Sequence, residues 1–324
     1  MVSGDTAAGA VPAEQLEQYR RELVGYCYRM LGSIHEAEDA VQDTMVRAWR
    51  ALARFEDHTG LRPWLYRIAT NVCIDMLKGR SRRALPMDVA PVASGELRRG
   101  DALPEATWIG PAPDSLVLPL GDDPAERAVS RESVRLAFIA ALQHLPPRQR
   151  AVLILRDVLR WRAAEVAVLL ETSPDAVNSA LRRARAALEA SDRDAAPTEP
   201  APGDQEVLAA YIEAFARHDV DGLVALLRED AILEMPPFTL WMRGPDDIRR
   251  WLVAVDAFSQ EQFVPVAANG SPAVAVYRPA APGGPPRAFT IQVLDIVAGR
   301  ISAIHVFLDQ SLFDLFGLPL HPPA

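Results

Sequence analysis

Apolar residues recur at helical spacing through the first eighty positions. Leu23, Tyr26, Cys27, Met30 and Leu31 fall on one face. The Gly32-Ser33 pair interrupts that pattern, and a second helix is predicted from Ile34 to Ala53. A loop from Phe55 to Leu61 contains Gly60. A third helix begins near Arg62, with Pro63 in the first turn, where a missing N–H costs no hydrogen bond. Its core stripe is Trp64, Leu65, Ile68, Val72, Cys73 and Met76, and it ends at Gly79 before the basic run Arg80-Ser81-Arg82-Arg83. Residues 84–124 are rich in Pro, Gly and Ala and weakly periodic, which predicts an interdomain linker. Helices resume near Pro124. Val134, Phe138, Ala141, Leu142 and Leu145 form a stripe stopped by Pro146-Pro147, and three short helices then reach Leu188. Ser191 to Asp204, rich in Pro and acidic residues, is a second expected linker.

Beyond residue 205 the pattern changes. Amphipathic helices are predicted from Gln205 to Leu227, broken at His218-Asp219, and another from Asp246 to Val255. Phe263–Val266, Ala273–Arg278, Ala288–Val297 and Ile301–Leu308 then read as strands, with Ala298-Gly299-Arg300 as a hairpin turn. Helices followed by a run of strands predict an α+β domain. The chain is therefore expected to be multidomain: two all-α domains at 14–83 and 125–190, joined by 84–124, then the linker 191–204 and an α+β domain at 205–319. Residues 1–13 are small and polar and are expected to be disordered.

Length and composition agree with several cores: 324 residues, 49% apolar, 24% charged. The net charge of −9 argues against nucleic acid as a partner until its distribution is considered. From residue 205 onward there are 14 acidic and 8 basic side chains, so this segment carries most of the negative charge, whereas arginines cluster in two earlier segments. The only two cysteines, Cys27 and Cys73, sit on apolar stripes and are expected as buried thiols; no metal or cofactor is expected. The first residues lack the order of a secretory leader and no apolar run reaches the length of a bilayer, so the expected location is cytoplasmic, with no membrane partner.

Residues 162–188 carry the strongest chemical signal. Ala164, Val166, Ala167 and Leu170 predict the inner face of a short helix, and Glu171-Thr172-Ser173 a turn, although glycine suits the place of Glu171 better. Ser173 can cap the next helix, with Pro174 in its first turn. In that helix Val177, Leu181, Ala184 and Leu188 point inward, and Asp175, Asn178, Ser179, Arg182, Arg183 and Arg185 point outward. Asn and Arg read base edges, and Ser and further Arg suit phosphates, as a major-groove helix requires. A plain helical hairpin with solvated arginines fits the same pattern.

The order of motifs then becomes recognisable. The run Glu36–Trp49 (EAEDAVQDTMVRAW) and the run Arg62–Asp75 (RPWLYRIATNVCID) resemble the second conserved region of sigma-70 family factors, and Leu145–Arg156 with the helix-turn-helix resembles the fourth. Two regions without an intervening third domain resemble the extracytoplasmic-function group. The resemblance implies a transcription initiation factor, not an enzyme, with core RNA polymerase (its β and β′ subunits) and promoter DNA as partners. It implies that Asp39, Gln42 and Asp43 dock on the polymerase clamp, and that Arg67, Asn71, Lys78 and Arg80 read the −10 element. The 55–61 loop, with Glu56, Asp57, His58 and Thr59, would capture a base extruded from the duplex. Asp175, Asn178, Ser179, Arg182 and Arg183 would meet the −35 duplex. Trp108-Ile-Gly-Pro-Ala-Pro-Asp114 is similar to a linker motif of the members that carry a C-terminal extension, and this tryptophan is expected to dock on something.

Residues 205–319 resemble SnoaL-like domains of the nuclear transport factor 2 superfamily, on Leu208–Asp219, Met242–Leu252 and the terminal hairpin. The resemblance implies a cone-shaped fold around an apolar cavity, with Tyr211, Glu234, Trp241, His305 and Asp309 as candidate polar groups and a small apolar molecule as a candidate ligand. The domain is expected to regulate the two helical domains in cis. Two other readings stay open: a ligand-sensing helix-turn-helix regulator, and a SnoaL-type cyclase or isomerase with a DNA-binding appendage.

Overall fold

The computed structural model describes residues 14–52, 55, 60–93, 100, 102–119, 124–190, 203–254, 261–281 and 283–323. Glu56, Asp57, His58 and Thr59, residues 1–13 and almost all of the second expected linker lie outside the described residues. The helices are α1 Glu14–Glu17, α2 Arg20–Leu31, α3 Ile34–Ala51, α4 Leu61–Leu77, α5 Pro86–Val89, α6 Asp114–Val117, α7 Pro124–Glu132, α8 Leu136–Gln143, α9 Pro147–Leu153, α10 Ala163–Leu169, α11 Pro174–Ala190, α12 Asp204–Ala216, α13 Val220–Ala225, α14 Pro245–Ala254 and α15 Leu312–Leu315. The strands are β1 Leu227–Glu234, β2 Trp241–Arg243, β3 Gln262–Ala268, β4 Ser271–Pro279, β5 Pro286–Val297 and β6 Arg300–Phe307. They gather into two units: one within Met1–Arg80 and Leu142–Asp192, the other within Ser81–Ala141 and Arg193–Ala324. Among the described residues, no helix is long and apolar enough to cross a membrane.

In the first unit α2 ends at Gly32, whose φ of 73° is left-handed, and Ser33 then caps α3 by accepting from the Glu36 N–H. The α2–α3–α4 core is filled by Leu23, Tyr26, Cys27, Met30, Val41, Leu65, Val72 and Cys73. The Tyr26 hydroxyl and Thr70 Oγ1 lie 2.7 Å apart within it. Hydrogen bonding with Cys73, together with burial, pushes the Cys27 thiol well above its ordinary value, so it stays protonated and inert. Trp64 is only half-buried: it sits at the start of α4 with its ring 4.7 Å from that of Phe55. The expectation that it belongs to the core is corrected by Tyr66, which takes the fully buried place two residues on.

Helices α9, α10 and α11 complete this unit: α9 packs on α2 and α4, α10 on α4, and α11 on α9 and α10. Arg150, buried, donates through Nη1 to the Met30 carbonyl and to Gln143 Oε1, and through Nη2 to the carbonyls of Gln143 and Leu145. Burial lowers its pKa to about 10, which still leaves it charged at neutral pH. The Trp161 ring lies 5.0 Å from that of Tyr66, and the Arg62 guanidinium sits 5.4 and 5.3 Å from the centres of the Tyr66 and Trp161 rings. Arg62 is held in place by Glu22 at 2.6 Å. An aromatic pair under a guanidinium thus joins the helices of the first half to those of the second.

The second unit is a six-stranded sheet, ordered β2-β1-β6-β5-β4-β3, antiparallel except where β1 runs parallel to β6. Helices α12, α13 and α14 contribute Leu208, Phe215, Leu223, Ile248, Trp251 and Leu252 to a core shared with Leu233, Val274, Val276, Leu294 and Ile304 of the sheet. The strands β1 and β2 are absent from the pattern-based expectation. β1 carries Arg-Glu-Asp in its first half and β2 has three residues, so neither shows a clean alternation.

Within this unit the described residues of the expected 84–124 linker are docked through short, apolar turns that lack periodicity, which corrects the reading of that stretch as a linker alone. Ile109 and Ala112 are fully buried, and Trp108 nearly so. The β3–β4 hairpin holds this strap. Asn269, left-handed at φ 56°, bonds to Ala112 through both its N–H and its side-chain oxygen, and its side-chain N–H reaches the Val134 carbonyl at 2.7 Å. Gly270 follows with φ +69°; a Cβ there would lie 2.7 Å from the Arg131 carbonyl oxygen, so no side chain fits. Its N–H donates to Asp114 Oδ1. At the far edge, the Trp241 indole donates to the Ala90 carbonyl at 2.8 Å and Ala93 N–H to the Trp241 carbonyl.

Candidate nucleic-acid interface and tail cavity

The amphipathic α3 buries Ala37, Ala40, Val41, Thr44, Met45 and Ala48, which turns Asp39 and Gln42 outward and leaves Asp43 half-buried. Asp43 pairs with Arg47 at 2.8 Å. The same outer face shows Val46 and Trp49, the latter 65% exposed. An exposed indole beside carboxylates and an amide is a surface with both an apolar anchor and polar specificity. Trp49 closes a motif on which sequence reading singles out only the polar residues; its helical phase relative to Ala48 and Met45 is the signal that marks it as exposed.

On α4, Arg67 and Asn71 are exposed one turn apart, and Lys78 and Arg80 follow at its end. Three of these four are engaged: Arg67 with Glu171 at 3.6 Å, Lys78 with Asp75 at 2.7 Å and Arg80 with Glu36 at 2.5 Å. Of the preceding loop only Phe55, Gly60 and Leu61 are described.

Helices α10 and α11 and their turn form the helix-turn-helix. Val166, Ala167 and Leu169 are buried on α10, and Val177, Leu181 and Ala184 on α11. Ala164 is exposed and Leu170 and Leu188 are half-buried, a phase shift at both ends of the stripe. Ser173 Oγ accepts from the Ala176 N–H, and Glu171 takes φ 52° in the turn, where glycine would be at ease. Asp175, Asn178, Arg182 and Arg183 are exposed and Ser179 half-buried. Arg185 is tied to Asp157 by two bonds of 2.8 and 2.6 Å, whereas Arg182 and Arg183 make no ion pair among the described residues. Two unengaged guanidiniums beside an amide make a surface for an anionic duplex.

In the second unit the helices leave a cavity of about 60 Å³ against one face of the sheet, lined by Tyr211, Phe215, Leu233, Met235, Trp251, Glu261, Arg278, Thr290, Gln292, Ile304 and Val306 among others. Of the five expected polar groups only Tyr211 is there. Leu233 and Met235 face the cavity, so Glu234 between them faces away; Ile304 and Val306 do the same to His305. On the opposite face His305 is bracketed by Glu234 at 2.6 Å and Asp295 at 3.2 Å. Burial works against a charged imidazole, but the Glu234 charge and the bond to Asp295 outweigh it and lift the pKa to about 10. Trp241 is committed to Ala90, and Asp309 caps Ser311 near the surface. The polar groups that do line the cavity, Glu261, Arg278, Thr290 and Gln292, are missing from the sequence-based set. Thr290 and Gln292, two apart in an apolar strand, are the visible sign of them.

Among the described residues no group of three or more His, Cys, Asp or Glu side chains could hold a metal ion. The geometry is that of a helical unit with a helix-turn-helix and a mixed-sheet α+β unit. Sigma-70 region 2 matches residues 16–83, Sigma-70, region 4 matches 135–188, and a SnoaL-like domain matches 208–304. The ECF RNA polymerase sigma factor SigG of Mycobacterium tuberculosis is 49% identical over 319 residues, 94% of this chain and 82% of that protein. The probable ECF RNA polymerase sigma factor SigI of the same organism is 30% identical over 310 residues, 91% of this chain and 92% of that protein. The crystal structure of Mycobacterium tuberculosis extracytoplasmic function sigma factor SigJ shares the fold, with 24% identity and a TM-score of 0.62, covering 95% of this chain and 100% of that one. The chain belongs to the extracytoplasmic-function RNA polymerase sigma factors, with a C-terminal SnoaL-like domain.

Proposed function

We propose that this sigma factor docks on the β′ and β subunits of core polymerase through the outer face of α3, reads the −10 element with α4 and the 55–61 loop, and reads the −35 duplex with α11. The observation that carries the reading is the outer face of α3, where Asp39, Gln42 and a 65%-exposed Trp49 lie together. An indole of that exposure, with no partner among the described residues, calls for one. Arg67 and Asn71 serve the −10 strand, and Asn178, Arg182 and Arg183 the −35 groove and its phosphates. The protein acts in the cytoplasm, where the polymerase is, and without catalysis of its own. The first unit, as packed, is a resting arrangement. The two promoter elements lie about 85 Å apart at roughly 3.4 Å per base pair, whereas a compact unit of ~120 residues has a radius of gyration near ~14 Å. Reading both elements at once separates α11 from α4. The tail regulates this in cis and holds a small apolar ligand in its cavity.

The test is assembly and initiation. Trp49→Ala combined with Gln42→Ala should abolish holoenzyme formation on core polymerase and promoter-dependent transcription in vitro, without lowering the melting temperature, because neither side chain is buried. Undiminished holoenzyme formation by that variant would remove the assignment of α3.

A further inference from the structure

Helix α10 packs on α4, the helix proposed above for the −10 strand. The contact is charge-matched at two places. On α10 the Glu165 carboxyl is held below its ordinary value, chiefly by Arg162 and further by Arg62 of α4. Past the end of α10, Glu171 Oε1 stands 3.6 Å from Arg67 Nη1. The two matches run in the same order along α4 and α10. The second is looser than the other bridges of this unit. Arg185 holds Asp157 through bonds of 2.8 and 2.6 Å, and Arg80 holds Glu36 at 2.5 Å. Glu171 and Arg67 lie beyond hydrogen-bonding distance, with side chains 75% and 49% exposed. Such a pair supplies charge and little rigidity, so it is readily released.

Glu171 is also strained where it stands. Its φ of 52° lies in the left-handed region that favours glycine. Ser173 and Pro174 already supply what α11 needs to start, so the turn itself requires no carboxylate at 171. A side chain kept at the cost of backbone strain points to a use outside the turn. Among the described residues its carboxylate pairs with Arg67.

We propose that Glu171 is a built-in stand-in for a promoter phosphate: in the resting arrangement its carboxylate occupies, on Arg67, the place that a phosphate of the −10 strand takes once regions 2 and 4 part. The proposal rests on the reading that α4 receives the −10 strand. A carboxylate and a phosphodiester both present anionic oxygens to a guanidinium, so they compete for one donor. The helix-turn-helix then acts on both promoter elements. Its second helix serves the −35 duplex, and the turn ahead of that helix keeps stray single strands off α4 in the free protein.

The test uses the full chain, free and in holoenzyme, with a labelled single-stranded oligonucleotide that covers the −10 element of a promoter the protein transcribes in vitro. Glu171→Gln keeps the size and removes the charge. It should raise the affinity of the free chain for the strand about two- to fivefold, the range of an exposed ion pair. Glu171→Gly should raise it equally, because the same carboxylate is gone, and should also raise Tm, because the backbone strain goes with it. In holoenzyme, where the regions are already apart, neither variant should change the affinity. In an Arg67→Ala background Glu171→Gln should have no effect on the free chain. An equal gain in holoenzyme, or in Arg67→Ala, would show that Glu171 acts through the general field of the protein and would overturn the proposal. So would a gain from Glu171→Gly without one from Glu171→Gln, which would assign the residue to turn strain alone, or no gain from either. If Arg67→Ala leaves strand binding by holoenzyme undiminished, the reading of α4 falls, and this inference with it.

Discussion

Replacing Trp161 by alanine tests whether the packed arrangement of the first unit restrains promoter reading. Trp161 is 6% exposed, with its ring against Tyr66 at 5.0 Å and beneath Arg62 at 5.3 Å. Both neighbours stand on α4 of region 2, so Trp161 is the bridge from region 4 to it. An aromatic pair contributes about 0.5–1.5 kcal/mol beyond its buried area, and a guanidinium over a ring about 0.5–1 kcal/mol. The substitution therefore weakens the closed arrangement by about 1–2.5 kcal/mol, which multiplies the open population about five- to sixty-fold at about 1.4 kcal/mol per decade. Because both native cysteines are buried, Arg50→Cys and Glu189→Cys place dyes on α3 and α11 without competing labels. Single-molecule energy transfer between them should show a low-transfer state that grows in Trp161→Ala, with tighter binding of the free protein to a fragment carrying both elements. A double-mutant cycle with Tyr66→Ala should give a coupling of about 0.5–1.5 kcal/mol, the value of the ring pair itself. A folded Trp161→Ala protein with an unchanged transfer distribution and unchanged promoter affinity would refute the reasoning.

Three further outcomes follow from the geometry. Arg182→Ala with Arg183→Ala should weaken binding to a −35 duplex and lower the slope of log affinity against log salt by about 1 for each phosphate no longer neutralised, with holoenzyme assembly intact. Asn269→Ala removes the side-chain bonds to Ala112 and Val134 and places alanine at a left-handed φ. It should cost about 2–6 kcal/mol, from two buried groups left unpaired at about 1–3 kcal/mol each, and should raise hydrogen exchange across 108–135 before the sheet exchanges. The stability of the second unit should fall as pH rises from 6.5 to about 10, because the folded pKa of His305 is raised from 6.5 to about 10. Its contribution is fully present below 6.5 and gone once pH passes the folded value. Glu261, lifted from 4.5 to about 7, acts in the same direction but only up to about 7, so a thermal melt series from pH 8 to 10 isolates the histidine. His305→Gln should flatten that series; an unchanged slope would show that the bracketed imidazole is not its source.

What is legible in the sequence follows the strength of each local period. The α2–α4 and α9–α11 helices are readable because burial at a spacing of three and four repeats along each, and because Ser33, Ser173 and Pro174 mark helix starts chemically. The cavity is not, and the reason is strand parity. Glu234 and His305 sit in apolar runs, where a polar residue invites a functional reading, but the face it occupies depends on its neighbours. β1 has too little alternation to be recognised, so nothing in the pattern fixes that Leu233 and Met235 face inward and Glu234 outward. The strap at 81–141 is hidden for another reason. Its anchors Trp108, Ile109 and Ala112 are a cluster of apolar side chains without repetition, and the receiving groups, Asn269 and Gly270, lie more than 150 residues away.

The Asn269–Gly270 clip bears on how such a protein could be rearranged by recombination. Read along the gene, the SnoaL-like domain begins after the DNA-binding helices and looks like a cassette that could be lost, gained or exchanged at a single junction. In space it is not one. The cover for Ile109 and Ala112 is encoded more than 150 residues downstream of them, and Gly270 has no room for a side chain only because Arg131 lies against it. A crossover between region 4 and the tail would leave the strap with a foreign acceptor, or with none, and expose an apolar surface that the sigma core cannot cover. A tail transplanted with its own strap carries its clip with it. Chimeras that exchange 81–141 together with 203–323 should therefore express as soluble proteins where exchange of 203–323 alone gives aggregates. In a lineage of these factors the two segments should be inherited as a pair although the region 4 helices separate them in the chain.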